Sequence, residues 1–177
     1  MATLLLLNGP PGVGKSTIAD ALVGCRPGWV AVSVDEVKHA LPTWPADPIG
    51  AGLEARVIAV RRIGKQLERG HDVVVDQYLA REDFVVDLGR VAREHDARFV
   101  EVLLTVDEST LAQRLRERRA HPNRPEQTEN DRFLAPEDAA SLITSLAVRR
   151  ARPGIHPVDA SGTLETTVRA LDDMLER

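Results

Sequence analysis

Near its start the chain reads Thr3-Leu-Leu-Leu-Leu-Asn8-Gly9-Pro-Pro-Gly-Val-Gly14-Lys15-Ser16. The mainly apolar run Thr3–Asn8 predicts a β-strand that is buried on both faces. From Gly9 onward the residues match the pattern G-x-x-x-x-G-K-[ST] at every fixed position, and the next stretch, Lys15–Cys25, predicts a helix. A glycine-rich turn between a buried strand and a helix is typical of a phosphate-binding loop.

Each residue type in this loop has a chemical reason to be there. Glycines let the backbone turn so that its N–H groups point at phosphate oxygens, and the helix N-terminus adds a partial positive charge. We predict that Lys15 reaches the β- and γ-phosphates of ATP and that the Ser16 hydroxyl binds Mg²⁺. The predicted nucleotide-binding residues of the loop are Gly9, Pro10, Pro11, Gly12, Val13, Gly14, Lys15, Ser16 and Thr17.

Length and composition limit the other possibilities. A chain of 177 residues with 43% hydrophobic and 28% charged residues predicts a single folded domain, 1–177. One cysteine, Cys25, excludes an intramolecular disulfide and a cysteine-rich zinc site. Neither a signal peptide nor a membrane-spanning run is recognisable, so we expect a cytoplasmic protein with no membrane partner. A net charge of −4 and 3% aromatic residues disfavour a nucleic-acid partner.

Short apolar runs alternate with amphipathic stretches along the whole chain, which predicts an α/β fold with a parallel sheet between helices. The predicted strands are Thr3–Asn8, Trp29–Val34, His71–Asp76, Arg98–Thr105 and Ile155–Asp159. The predicted helices are Lys15–Cys25, Asp35–Leu41, Gly52–Arg69, Arg81–His95, Asp107–Arg119, Pro136–Arg150 and Leu164–Arg177.

Two carboxylates follow predicted strands and belong to the carboxyl edge of the sheet, where open α/β folds bind ligands. Asp76 ends the run Val73-Val-Val and is predicted to be the second Mg²⁺ ligand, although strands also end in Asp for reasons of turn geometry. Asp35 is predicted to be the general base for an attacking hydroxyl, or else only the N-cap of the next helix. Lys38, three residues later, can hold Asp35 ionised or be an ordinary surface lysine.

Five arginines fall close together in and after the fifth predicted helix: Arg114, Arg116, Arg118, Arg119 and Arg124. We predict a lid over approximately residues 119–130, with Arg118 acting on the transferring phosphoryl group. Arg114 shares a helix face with Arg118 and can bind phosphate or stack on adenine. A solvated, arginine-rich helix face is the alternative.

The acceptor is expected near Asp35, beside the segments 39–56 and 77–84. The residues predicted to bind it are Lys38, Trp44, Arg56, Gln77 and Tyr78. A pocket lined by aromatic side chains with few polar groups suits a ring-bearing alcohol such as an antibiotic or a nucleoside. The alternative is that Trp44, Leu53 and Phe84 belong to the core.

Several classes of nucleotide-binding protein are less compatible with this sequence. A GTPase requires an Asn-Lys-x-Asp guanine reader, and no lysine here follows an asparagine. Ring-forming ATPases need a longer chain. Three classes remain: a small-molecule hydroxyl kinase, which is favoured and could confer antibiotic resistance; a kinase of nucleic-acid ends or nucleotides; and a non-catalytic nucleotide switch.

Over essentially its full length, the chain resembles members of the P-loop kinase superfamily. Resemblance to chloramphenicol phosphotransferase lies in Asp35, Ala40-Leu41-Pro42, Ile49-Gly50, and Arg69-Gly70 followed by Val73–Asp76. Asp35 with Lys38 and the segment Asp76-Gln-Tyr-Leu are similar to polynucleotide 5′-hydroxyl kinases, with lysine replacing their arginine.

The run Arg114-Leu-Arg-Glu-Arg118-Arg119-Ala-His121 is similar to the lid entry of adenylate kinases. These resemblances imply a five-stranded parallel sheet of order 2-3-1-4-5, with ATP and Mg²⁺ as donor. They also imply an adenine-side role for Arg114 and a phosphate role for Arg118.

Overall fold

Five parallel strands form the centre of the molecule, in a computed structural model that describes residues 1–122, 124, 127–128, 131 and 134–176. The strands are β1 (Thr3–Asn8), β2 (Trp29–Ser33), β3 (Asp72–Gln77), β4 (Arg98–Thr105) and β5 (Ile155–Asp159). Their order across the sheet is β2-β3-β1-β4-β5. The predicted sheet and its strand order are therefore confirmed.

The described helices connect these strands and cover both faces of the sheet. They are α1 (Lys15–Cys25), α2 (Val34–His39), α3 (Pro48–Glu68), α4 (Asp83–Glu94), α5 (Glu108–Ala120), α6 (Ala139–Ser145), α7 (Ala147–Arg150) and α8 (Leu164–Leu175), with a 3₁₀ turn at Pro136–Asp138. The predicted three-layer arrangement is confirmed.

Most described helix ends lie within two residues of the predicted ones, and the structure differs more strongly in two places. Helix α3 begins at Pro48, four residues before the predicted Gly52, because Asp47 accepts a hydrogen bond from the Gly50 N–H at 2.9 Å and Pro48 fits the first turn. The predicted helix Pro136–Arg150 is instead a 3₁₀ turn followed by α6 and α7, which are separated at the buried Leu146.

Alternating side chains of β1 divide the core into two clusters. Leu5 and Leu7 pack on one face of the sheet, with α1, α5, α6 and α8. Leu4 and Leu6 pack on the other face, with α2, α3 and α4. All four leucines are fully buried, so β1 is fixed in register between its neighbours, and the loop that follows it has a rigid origin.

In the part of the chain that the structure describes, no helix combines the length and the apolar character needed to cross a bilayer.

Candidate functional site

The strand register places the predicted groups at one edge of the sheet. Ser33 at the end of β2 is paired with Asp76, and Asn8 at the end of β1 is paired with Gln77. A cavity of about 860 Å³ opens at this edge. The predicted site residues that line it are Pro11, Gly12, Gly14, Lys15, Ser16, Thr17, Asp35, Asp76, Gln77, Tyr78, Arg114 and Arg118.

The loop after β1 depends on two glycines with left-handed backbone angles. Gly12 has φ +89° and Gly14, which precedes α1, has φ +105°. A Cβ atom on Gly12 would also lie 2.9 Å from the Leu115 side chain of α5. A larger residue at Gly12 would therefore strain the loop backbone and require the Leu115 side chain to shift.

Lys15 folds back over its own loop. Its ammonium group donates hydrogen bonds to the carbonyl oxygens of Gly9 at 2.9 Å and Pro10 at 3.0 Å. Burial lowers the pKa of Lys15 to about 8, against the opposing effect of Asp76 and Asp35. Lys15 is still mainly protonated at neutral pH, which is the state that an anionic phosphate group requires.

Ser16 and Asp76 form the contact that joins α1 to the end of β3. The Ser16 hydroxyl donates to Asp76 Oδ2 at 2.5 Å. Burial raises the pKa of Asp76 to about 6, although the Ser16 hydrogen bond and the charge of Lys15 both oppose the rise. Mg²⁺ prefers such oxygen ligands and is commonly held by one or two protein groups together with substrate phosphates.

This pair of oxygens fits a metal that needs the substrate to complete its ligands. Among the described residues, no three His, Cys, Asp or Glu side chains cluster closely enough to hold a metal ion by themselves.

Asp35 does not cap α2, because that position belongs to Ser33. The Ser33 hydroxyl accepts a hydrogen bond from the Glu36 N–H at 3.3 Å. Asp35 lies in the first turn, where its side chain is 43% exposed and borders the cavity, with the Lys38 ammonium 3.7 Å away. The cap-only interpretation of Asp35 is therefore wrong, and its carboxylate is available to solvent and to a ligand.

The predicted acceptor-binding residues do not all meet at this cavity. Gln77 and Tyr78 line it, and the Tyr78 hydroxyl forms a 2.9 Å hydrogen bond with Ser145 of α6. Among the described side chains, Gln77 Oε1 is one of the few buried polar atoms without a hydrogen-bond partner. Such an atom costs free energy unless a ligand or water donates to it.

Lys38, Trp44 and Arg56 are not among the described residues that line the cavity. The Lys38 ammonium lies 4.2 Å from the centre of the Trp44 ring, and the Arg56 guanidinium lies 5.5 Å from the ring of the buried Phe84. One cation–π contact joins α2 to Trp44 in the segment before α3, and the other joins α3 to Phe84 of α4.

The arginines of α5 are held by different partners. Arg114 donates to the carbonyl oxygens of Val13, Ser161 and Gly162 at 3.0–3.4 Å. It thereby ties α5 both to the loop after β1 and to the turn after β5.

Further along the chain, Arg118 binds both carboxylate oxygens of Asp131, and Arg124 forms ion pairs with Asp20 and Glu36. Of the predicted lid, 119–130, residues 123, 125–126 and 129–130 lie outside the described part of the chain. Sequence reasoning missed Asp131, because no spacing rule relates it to Arg118.

A smaller cavity of about 170 Å³ lies beside the loop. Gly14, Thr17 and Arg114 border both cavities, so the two are neighbours. The remaining residues of the smaller cavity are Val13, Ile18, Ala160, Gly162, Thr163, Leu164 and Thr167. A narrow, largely apolar cleft next to a guanidinium group suits a flat aromatic ring.

Beneath the large cavity lies a buried polar network centred on Asn8. Its side-chain carbonyl accepts from the Gly9 and Leu79 N–H groups at 2.8 and 3.0 Å. Its amide donates to the Leu79 carbonyl at 3.0 Å and to Glu101 at 3.3 Å. Glu101 in turn accepts two hydrogen bonds from Arg149, at 2.9 and 2.6 Å. The network connects the first glycine of the loop to the segment that carries Gln77 and Tyr78.

Comparison with curated proteins finds sequence similarity to a 2-phosphoglycerate kinase. The chain is 28% identical to a 2-phosphoglycerate kinase of Pyrococcus horikoshii over 204 residues. That alignment covers 98% of this chain but 64% of the relative, so the chain spans just under two thirds of that protein's length.

Solved structures share the fold at low sequence identity. A gluconokinase from Sinorhizobium meliloti aligns with a TM-score of 0.64 at 20% identity, over 99% of this chain and 95% of its own. A tunicamycin resistance protein from Deinococcus radiodurans aligns with a TM-score of 0.69 at 16% identity, over 99% and 96%. At these identities the likeness establishes the P-loop kinase fold.

The match to a protein family covers most of the chain. The profile of the AAA domain family matches residues 4–143, which include all of β1 except Thr3, the loop at Gly9–Ser16, Asp35, Asp76 and α5. The chain therefore belongs to this AAA domain family and has a P-loop kinase fold.

Proposed function

We propose that this chain is an ATP-dependent kinase that transfers the γ-phosphoryl group of ATP to a hydroxyl group of a small molecule. The observation that carries the proposal is the convergence of Lys15, the Ser16–Asp76 pair and Asp35 on one cavity. A donor site and a carboxylate base at the same edge of a parallel sheet are the two parts that such a transfer needs.

The donor half uses the loop and the smaller cavity. The backbone N–H groups of Gly12–Ser16 and the Lys15 ammonium bind the phosphates, and the adenine ring lies in the smaller cavity beside Arg114. Ser16 and Asp76 are the protein ligands for Mg²⁺, which when bound neutralises charge on the β- and γ-phosphates.

The acceptor half uses Asp35. The acceptor oxygen forms a bond to the γ-phosphorus, the bond from that phosphorus to the bridging oxygen breaks, and ADP leaves. Asp35 takes the proton that the acceptor hydroxyl loses. A phosphate acceptor is already anionic and needs no base, so a cavity-facing carboxylate favours an alcohol.

Gln77 and Tyr78 are the groups best placed to orient the acceptor. Gln77 Oε1 is a hydrogen-bond acceptor without a partner in the described structure, and a second hydroxyl or an amine of the acceptor would satisfy it. By their names, the curated relative and the gluconokinase are kinases of two different small molecules, and the third protein is named for resistance to a small molecule. These names support a small-molecule acceptor and leave its identity to experiment.

An acceptor panel with radiolabelled ATP and Mg²⁺ tests this function. Sugar acids, phosphorylated hydroxy acids, amphenicols, nucleosides and 5′-hydroxyl oligonucleotides are assayed with the wild type and with Asp35→Asn. We expect one alcohol class to be phosphorylated, with turnover falling about 10²–10⁴-fold in Asp35→Asn while ATP still binds.

Asp87→Asn on the exposed face of α4 is the matched control and should retain full turnover. Transfer to a monophosphate that is insensitive to Asp35→Asn would refute the proposal. Labelling confined to oligonucleotide ends would show a polynucleotide kinase instead.

A further inference from the structure

Asp131 is a carboxylate of the large cavity to which the proposed function assigns no role. It is only 6% exposed, and it lines the cavity together with Arg118. Both of its oxygens accept hydrogen bonds from that arginine: Oδ2 from Nε at 2.8 Å, and Oδ1 from Nη2. Loss of the arginine would leave this carboxylate buried without its charged partner, which is energetically costly.

The pairing constrains the orientation of Arg118. Nε and Nη2 lie along one edge of the planar guanidinium, so a carboxylate that binds both fixes the plane and not only the position of the charge. The third nitrogen, Nη1, takes no part in this pair. One helical turn earlier, Arg114 is held by three backbone carbonyls, so α5 is itself anchored beside the loop.

We infer that Asp131 is a positioning residue that directs the Arg118 guanidinium toward the terminal phosphoryl group of a bound nucleoside triphosphate. This inference rests on the proposed function, because it requires ATP in the cavity. A long side chain loses rotational freedom when it binds a ligand, and prior orientation by Asp131 reduces that loss.

Asp131 can also have the opposite effect on triphosphate binding. The negative charge of Asp131 offsets the attraction of Arg118 for phosphate, so a carboxylate that merely sequestered the arginine would weaken triphosphate binding. If neutralising Asp131 weakens triphosphate binding, Asp131 orients Arg118. If it strengthens triphosphate binding, Asp131 sequesters Arg118.

The test measures the contribution of the terminal phosphoryl group to binding. Calorimetry gives the Kd of Mg·ADP and of the imido analogue Mg·AMP-PNP for the wild type, Asp131→Asn, Arg118→Ala and the double variant. The Kd of Mg·ADP divided by the Kd of Mg·AMP-PNP reports on contacts to the γ-phosphoryl group alone. We expect this ratio to fall about tenfold in Arg118→Ala and about threefold in Asp131→Asn.

The double variant separates positioning from a structural role. If Asp131 acts through Arg118, adding Asp131→Asn to Arg118→Ala changes the ratio no further. A structural role would lower the ratio equally in both backgrounds, and that result would overturn the inference.

Glu117→Gln is the matched charge control. Glu117 is exposed on the same helix, lines the same cavity and bonds Gln113 at 2.8 Å. Its neutralisation should raise the ratio slightly, since it removes a negative charge without changing the Arg118 pair. A similar rise in Asp131→Asn would show sequestration and overturn the inference.

Thermal unfolding of each variant monitors the fold. If Asp131→Asn does not fold, Asp131→Glu carries the test, because it keeps the charge but displaces the carboxylate by one methylene; an unchanged ratio there contradicts the inference. Failure of the wild type to bind either nucleotide would refute the proposed function itself, which is a different result from wild-type binding with no effect of Asp131.

Discussion

The Ser16 hydroxyl donates a hydrogen bond to Asp76 Oδ2 at 2.5 Å, which joins the first turn of α1 to the end of β3. The pairing of β1 with β3, in which Leu7 lies opposite Asp76, fixes this distance through the sheet. A hydroxyl and a carboxylate oxygen held this close can bind one cation together, as the proposed Mg²⁺ site requires.

Neutralising Asp76 should weaken metal-dependent nucleotide binding. Asp76→Asn keeps the size of the side chain and removes the charge that Mg²⁺ requires, so we expect the Mg²⁺ concentration for half-maximal ATP binding to rise about tenfold or more. A magnesium titration at a fixed ATP concentration measures this half-maximal Mg²⁺ concentration. Asp72→Asn at the other end of β3 is a control carboxylate on the same strand, and an equal response in both variants would contradict the assignment.

The raised pKa of Asp76 also predicts how the stability of the nucleotide-free protein changes with pH. The folded-state pKa is about 6, above the ordinary value of 3.8, so between pH 4 and pH 6 the folded state binds more protons than the unfolded state. Stability should therefore fall as the pH rises through this window, by at most about 3 kcal/mol.

Urea unfolding from pH 4 to pH 7 measures this loss, with Asp76→Asn as the comparison. The variant cannot ionise, so its free energy of unfolding should change less across the window and should exceed that of the wild type at pH 7. The same dependence of stability on pH in the wild type and the variant between pH 4 and pH 6 would contradict the raised pKa.

The pattern of the sequence was sufficient for the sheet and for the position of the loop that carries the proposed donor site. Apolar runs of strand length separated by amphipathic stretches allow few arrangements, and the fixed positions of the loop identify Lys15 and Ser16 directly. The start of α3 was missed because Asp47-Pro48 has the composition of a turn, although the same residues cap a helix and open it.

The residues around the proposed acceptor could not be predicted from the sequence in the same way. Lys38 and Trp44 are close in sequence to Asp35, but they contact each other through a cation–π interaction and are not among the described residues that line the cavity. Asp131 is distant from the loop in sequence and reaches the site only through the tertiary contact with Arg118. Periodicity reports which face of an element is buried, and it carries no information about such pairs.

Removing the ammonium group of the loop should abolish phosphoryl transfer. Lys15→Ala deletes the charge nearest to the predicted phosphate site, and we expect turnover to fall about 10²-fold or more. The control is Lys65→Ala on the exposed surface of α3. Steady-state ADP release with an accepted alcohol measures both variants, and a Lys15→Ala protein with normal turnover would refute the loop as the donor site.

Loss of Arg149 should destabilise the whole molecule, because Arg149 and Glu101 form a buried ion pair. Their side chains are 5% and 7% exposed, and two hydrogen bonds join them. Arg149→Ala leaves the Glu101 carboxylate buried with only the Asn8 amide as a described partner, at 3.3 Å. We expect the free energy of unfolding to fall by about 3–5 kcal/mol, measured by urea denaturation at pH 7.

Replacing both partners should cost much less than removing one. In Glu101→Leu with Arg149→Met, no buried charge is left, so we expect stability close to that of the wild type. Arg26→Ala provides a control, because its ion pair with Asp172 is partly exposed and should contribute about 1 kcal/mol or less. Because the Asn8 side chain binds both Gly9 and Leu79, the double variant should also keep its affinity for Mg·ADP. An Arg149→Ala protein as stable as the wild type would mean that water reaches Glu101 and that the pair is not needed to hold the loop.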